Sequence, residues 1–330
     1  MLTGCTDKDG KEVLKEEESK IKIGLSFDSL VIERWYREQD AFVAQATELG
    51  AQVYVQNANG EVAKQIEQIQ YFIKNDMDAI VVIAIDGDAL TPVISKAKEA
   101  GIKVIAYDRL INNASADLYI SFDNAEIGQL LTNELLENTK ENGNVIAIFG
   151  PYTDNNAKII ETEFNKLVAD KKINIVKRVY AKNWKSEEAF YAVSSWINQG
   201  NEVDTVFCGN DDLAGEAIRA LAEKRMAGKV CVIGQDGDLS ACQRVVEGTQ
   251  EMTIYKDVIK MAKLAAQYAV DLVNHKEIEG METINDGSYE IPCYLLNPIK
   301  VTKENMDEVI IKSGFHQREE VYLNIMENQE

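Results

Sequence analysis

The chain has 330 residues and is 45% apolar, enough for two ordinary domains with real cores, so disorder is not the default. Lys and Arg number 35 against 55 for Asp and Glu, a formal charge of −20 spread along the whole chain, which disfavours nucleic acid as a partner. Two distant histidines, His275 and His316, and no apolar run approaching the roughly 18 residues of a membrane span exclude a histidine-rich metal site and an integral membrane protein.

At the N-terminus, Leu2-Thr3-Gly4-Cys5 resembles the lipobox at which bacterial lipoprotein signal peptides are cut and the cysteine is lipidated. No apolar segment precedes it, so Met1 reads as a start placed inside a signal peptide, with Cys5 as lipid anchor and Thr6 to Lys20 as a polar spacer. The alternative is a chance match of four residues. The anchor predicts an extracytoplasmic protein on the outer face of the cytoplasmic membrane, touching the membrane only through its lipid.

Ile21 to Phe27 reads as a strand, followed by a helical pattern carrying Trp35, Phe42, Val43, Ala46 and Leu49 before Gly50. The unit recurs. Strands near Val53–Val55, Ala79–Ile83 and Val104–Tyr107 alternate with helices near 61–75 and 89–100, and a second series places strands at Val145–Phe149, Ile175–Val176, Val206–Cys208 and Val230–Ile233. Apolar strands alternating with helices predict parallel sheets covered on both faces, here two doubly wound α/β lobes of similar size.

Leu118–Asp123 is the natural first crossing between the lobes, with Thr253–Tyr255 and Glu290–Pro292 as candidates for two more. Four prolines and no Gly/Ser-rich linker predict a hinge of three short extended strands. The expected division is a spacer at 1–20, a first lobe of 21–122 plus 253–288, a second lobe of 123–252 plus 289–315, and an acidic tail at 316–330. Cys208, Cys231, Cys242 and Cys293 lack C-x-x-C spacing and read as small buried hydrophobes.

In open α/β sheets the ligand crevice lies beyond the carboxyl ends of the strands, so the residues just after each apolar run carry the information. They are polar: Asp108-Arg109 after Tyr107, Asp154-Asn155-Asn156 after the Phe149 turn, Asn210-Asp211 after Cys208, Gln235-Asp236 after Ile233, and Lys256 after Tyr255. The first strand's loop leads to Glu33-Arg34-Trp35, and Trp184 lies in the polar stretch Ala181 to Glu187. Amide, carboxylate and guanidinium groups can bond vicinal hydroxyls and indole faces can cover a pyranose ring, a description that fits a sugar site. Helix capping is the competing explanation, and would account for Asp211 and Asp123 without a ligand.

No G-x-G-x-x-G, Walker A or G-x-S-x-G motif is present, so no nucleotide or other cofactor is expected. Asp236 to Glu247 partly mimics a calcium loop, but Ala241 stands where glycine is required, so no metal is expected. Carboxylates facing one cleft keep a glycoside-processing enzyme open as an alternative.

Together with Gln56 to Gly60, Tyr119 to Asn124 and Gly248-Thr249-Gln250, these motifs make residues 21–316 similar to the type I periplasmic sugar-binding proteins, and within them to the D-xylose-binding ones. The resemblance implies that Arg34, Asp108, Arg109, Asp154, Asn156, Asn210, Asp236 and Lys256 hydrogen-bond the sugar while Trp35 and Trp184 sandwich its ring. It implies no catalysis and a partner in the membrane, either ABC transporter subunits or the extracellular domain of a sensor histidine kinase. Another monosaccharide such as glucose is the alternative ligand, because Asp28 to Ile32 and Asp257 depart from the family pattern.

Overall fold

The structure is a computed structural model that describes residues 20–325. The lipobox, Cys5 with most of the spacer, and the last residues of the expected acidic tail lie outside the described residues.

The first lobe is built on a seven-stranded sheet. Its first five strands are β1 (Lys22–Phe27), β2 (Gln52–Asn57), β3 (Ala79–Val82), β4 (Lys103–Tyr107) and β5 (Leu118–Phe122), with helices α1 (Arg34–Glu48), α2 (Val62–Lys74) and α3 (Thr91–Glu99) between them. The order β2-β1-β3-β4-β5 is all parallel, and the strand sequence reverses at β1. Successive side chains alternate between faces: Val81 and Ile105 join one apolar cluster, Ile80, Val82, Val104 and Ala106 the other. Both faces are dry, which is why these strands read as unbroken apolar runs.

The second lobe repeats this plan. Its strands β6 (Gly143–Phe149), β7 (Ile173–Tyr180), β8 (Thr205–Cys208) and β9 (Cys231–Ile233) run parallel in the order β7-β6-β8-β9. Helices α4 (Asn124–Asn138), α5 (Asn155–Val168), α6 (Glu187–Ile197), α7 (Asp211–Ala222) and α8 (Leu239–Glu247) cover it. After β10 (Thr253–Tyr255) the chain returns to the first lobe, where α9 (Val258–Val273) packs on α1.

The C-terminal wiring corrects the expected division. β11 (Glu282–Asn285) pairs with β12 (Glu290–Leu296), and β12 pairs in parallel with β5, so residues 290–296 belong to the first sheet and not to the second lobe. The third crossing is therefore at Asn297-Pro298, before β13 (Ile299–Val301) pairs with β10. Sequence reading misplaced it because β12 is a late strand whose partner is fixed only by tertiary register.

The segment after Gly314 is no free tail either. A short helix α10 (Arg318–Val321) docks on the second lobe, with His316 3% and Val321 1% exposed. Two inward residues in a charged stretch are too few to register as a pattern. Cys208, Cys231, Cys242 and Cys293 are all free thiols.

Candidate functional site

The site forms where the carboxyl ends of both sheets face each other, the position that doubly wound topology favours for a ligand. The ten sequence-selected side chains, Arg34, Trp35, Asp108, Arg109, Asp154, Asn156, Trp184, Asn210, Asp236 and Lys256, all line one cavity of about 30 Å³ and are at most 9% exposed. Ile32, Asn124, Ile160 and Gln235 complete the lining.

From the first lobe, α1 begins immediately at Arg34, so its first turn carries both the guanidinium and the Trp35 indole inward. Arg34 Nη2 donates to Asp108 Oδ2 at 2.8 Å and Nε to Glu38 Oε1 at 2.5 Å, while Nη1 lies 3.8 Å from Asp236 Oδ1 on the opposite lobe. The Arg34 guanidinium also lies over the Trp35 ring, 4.4 Å from its centroid. At the end of β4, Asp108 adopts φ 63°, a left-handed conformation unusual for a non-glycine residue. Its neighbour Arg109 donates to Asp28 at 2.6 Å and to the Ala84 carbonyl at 3.0 Å.

From the second lobe, Asp154 caps α5 by accepting from Asn156 N at 2.9 Å. Its other oxygen accepts from Trp184 Nε1 at 3.1 Å and pairs with Arg109 Nε at 2.8 Å. Asn156 Nδ2 reaches across to the Asp108 carboxylate at 3.0 Å. Trp184 and Asn183 both have positive φ, a strained turn of the sort found at ligand clamps, and the indole lies directly on Gly150, where any Cβ would collide with the ring. Lys256, in the second crossing, pairs with Asp236 at 2.5 Å and donates to Gln235 at 3.2 Å.

Capping and lining turn out to coexist in one residue. Asn210 Oδ1 caps α7 through Leu213 N at 3.0 Å, while its Nδ2 is buried with no hydrogen-bond partner. Asn156 Oδ1 and Trp35 Nε1 are orphaned in the same way. Buried polar atoms without partners are costly, and three around one cavity give it unmet hydrogen-bonding capacity.

On the cavity wall itself the charges balance. Three cations, Arg34, Arg109 and Lys256, meet three carboxylates, Asp108, Asp154 and Asp236. Burial pushes the Asp108 carboxyl up, but Arg34, Lys256 and Arg109 together outweigh it and hold the group below the usual carboxylate range. A glycosidase's general acid needs the opposite shift. The lining suits a neutral, hydroxyl-rich ligand better than a charged one.

A family model described as a periplasmic binding protein domain matches residues 23–277. The chain belongs to the periplasmic binding protein family. Over 307 residues, this periplasmic binding protein is 43% identical to the D-xylose-binding periplasmic protein of Haemophilus influenzae, covering 92% of each chain. It is 40% identical to the D-xylose-binding periplasmic protein of Escherichia coli, covering 92% of this chain and 93% of the relative. A solved ABC transporter solute-binding protein from Clostridium phytofermentans with bound β-D-glucose shares the fold at a TM-score of 0.80 and 26% identity, over 91% of this chain and 99% of that one. Relatives of this kind bind solutes and are not enzymes, and the family works outside the cytoplasm.

Two participants in this site escaped the sequence reading. Asp28 lies just past β1, where the post-strand rule would have found it. Glu38 stands one helical turn after Arg34 and looks like half of a solvent-exposed i,i+4 pair, yet is 1% exposed and bonded by Arg34 and the Tyr107 hydroxyl. No signal in the local sequence separates those cases. Among the described residues, no group of three or more His, Cys, Asp or Glu is arranged to hold a metal, and no helix is long and apolar enough to cross a membrane.

Proposed function

We propose that the chain is an extracytoplasmic receptor that binds D-xylose between its lobes and closes on it without a chemical step. The observation that carries this is the set of orphaned atoms Asn156 Oδ1, Asn210 Nδ2 and Trp35 Nε1 in a charge-balanced, indole-lined cavity. Acceptor, donor and aromatic surface are the three things a pyranose requires. The choice of xylose draws on the two relatives at 43% and 40% identity, both D-xylose-binding proteins.

Arg109–Asp154, Arg34–Asp236 and Asn156–Asp108 span the lobes, so a ligand completing them favours the closed arrangement. The three crossings, at Asp123, Lys256-Asp257 and Asn297-Pro298, supply the hinge, with 21–122 and 258–296 moving against 124–255 and 299–325. Cys5 anchors the protein by its lipid, and the closed form is read by a membrane partner, transporter subunits or a sensor kinase.

Calorimetric titration with D-xylose beside D-glucose, D-ribose and L-arabinose tests the ligand. Saturable one-to-one binding that prefers xylose is expected; equal affinity for glucose overturns the choice of sugar, and silence with all four overturns the receptor reading. Pull-down from membranes with and without xylose identifies the partner.

A further inference from the structure

We propose that Asp211, which does not line the cavity, is a positioning residue whose carboxylate locks the backbone turn that aims Asp236 into it. The proposal rests on the sugar-site reading above.

Asp236 sits at φ 117°, a conformation that side-chain-bearing residues rarely adopt and that persists only when surrounding structure over-determines it. On the N-terminal side, Asp236 N is held by the Ile254 carbonyl at 3.0 Å. On the C-terminal side the next two amides, Gly237 N at 3.0 Å and Asp238 N at 3.2 Å, both donate to Asp211 Oδ2. The Thr253 hydroxyl donates to the same oxygen at 2.6 Å, and Gln250 Nε2 donates to Oδ1 at 2.8 Å.

Four donors converge on one side chain, and only an acceptor-only group satisfies them all; an amide would turn a donor toward a donor. Gln250 cannot adapt by flipping, because its Oε1 accepts from Arg244 Nε at 2.9 Å. A Cβ at position 234 would collide with the Asp211 carboxylate, so the glycine just before Gln235-Asp236 makes room for this contact. The capping role that sequence gives Asp211 belongs to Asn210 instead. Adjacent residues thus divide the work: Asn210 faces the cavity, and Asp211 faces back to the turn carrying its carboxylate.

The test is a thermodynamic cycle with D-xylose as probe: wild type, Asp211→Asn, Asp236→Ala and the double variant, each titrated by calorimetry and melted. Asp211→Asn is expected to weaken binding about tenfold or more in the wild-type background and less than about twofold on top of Asp236→Ala. Equal losses in both backgrounds, or no loss, overturn the proposal, since a general structural role would add independently of Asp236. Thr253→Val, which removes one of the four donors, gives the same coupled pattern at smaller size if Asp211→Asn does not fold. A crystal structure of the sugar-free variant reads the turn directly: φ at Asp236 leaving the positive range supports the assignment and an unchanged φ overturns it. That readout holds even if xylose proves not to be the ligand.

Discussion

Arg109 Nε and Asp154 Oδ2 stand 2.8 Å apart across the line where the two lobes meet, with both side chains at most 5% exposed. The same carboxylate caps α5 and receives the Trp184 indole N–H, so one side chain ties together a helix end, an aromatic wall and the opposite lobe.

Asp154→Ala therefore leaves a buried guanidinium with only Asp28 for a carboxylate partner. Stability is expected to fall by about 3–5 kcal/mol and xylose affinity by about 100-fold. Chemical denaturation and calorimetry measure the two separately; affinity within threefold of wild type would remove Asp154 from the site.

Gly150→Ala tests the seat of Trp184 without touching a polar group. The new methyl has to displace the indole, so affinity is expected to drop at least about tenfold while circular dichroism stays native-like. Unchanged affinity would mean that the ring's position is irrelevant to the ligand.

Glu38 predicts a pH signature. Burial pushes its carboxyl up to about 7, with Arg34 and the Tyr107 hydroxyl opposing and Asp108 reinforcing the shift. A folded-state value above the unfolded one means that the native protein holds a proton that the unfolded chain releases. Stability from this group is full below about pH 4 and is lost as pH rises to about 7. Glu38→Gln should flatten the denaturation midpoint between pH 5 and about 8 relative to wild type; parallel curves would show that Glu38 does not titrate there.

Asp257 supplies the contrast. It lies next to Lys256, but its carboxylate caps α9 through Lys260 N at 3.0 Å. Asp257→Ala is expected to cost about 1 kcal/mol of stability and nothing in sugar affinity. A change in affinity beyond twofold would place this crossing in the ligand's reach.

The fold was legible because the central strands of both sheets are parallel and dry on both faces, which writes strands such as Ala79–Val82 as apolar runs spaced by helices. The lining of the candidate cavity was legible because doubly wound topology gathers post-strand residues, so Asp108, Asp154, Asn210 and Asp236 could be selected without knowing any distance. What stayed hidden depends on contacts far apart in sequence. Glu38 is indistinguishable from a surface partner of Arg34 until Tyr107 covers it, and Asp211 looks like a cap until the 236–238 turn folds over it. β12 was assigned to the wrong lobe for the same reason, since its pairing with β5 has no local mark.

That pairing also bears on when the protein can fold. β12 is synthesised long after β5, with strands β6 to β10 of the second lobe between them, yet it lies inside the first sheet between β5 and β11. Until it arrives, Leu118–Phe122 has an uncovered parallel edge, and neither lobe can be completed from a contiguous stretch of chain. Long-range closure of this kind is slow, and the first sheet of a nascent chain stays open while the second lobe is made.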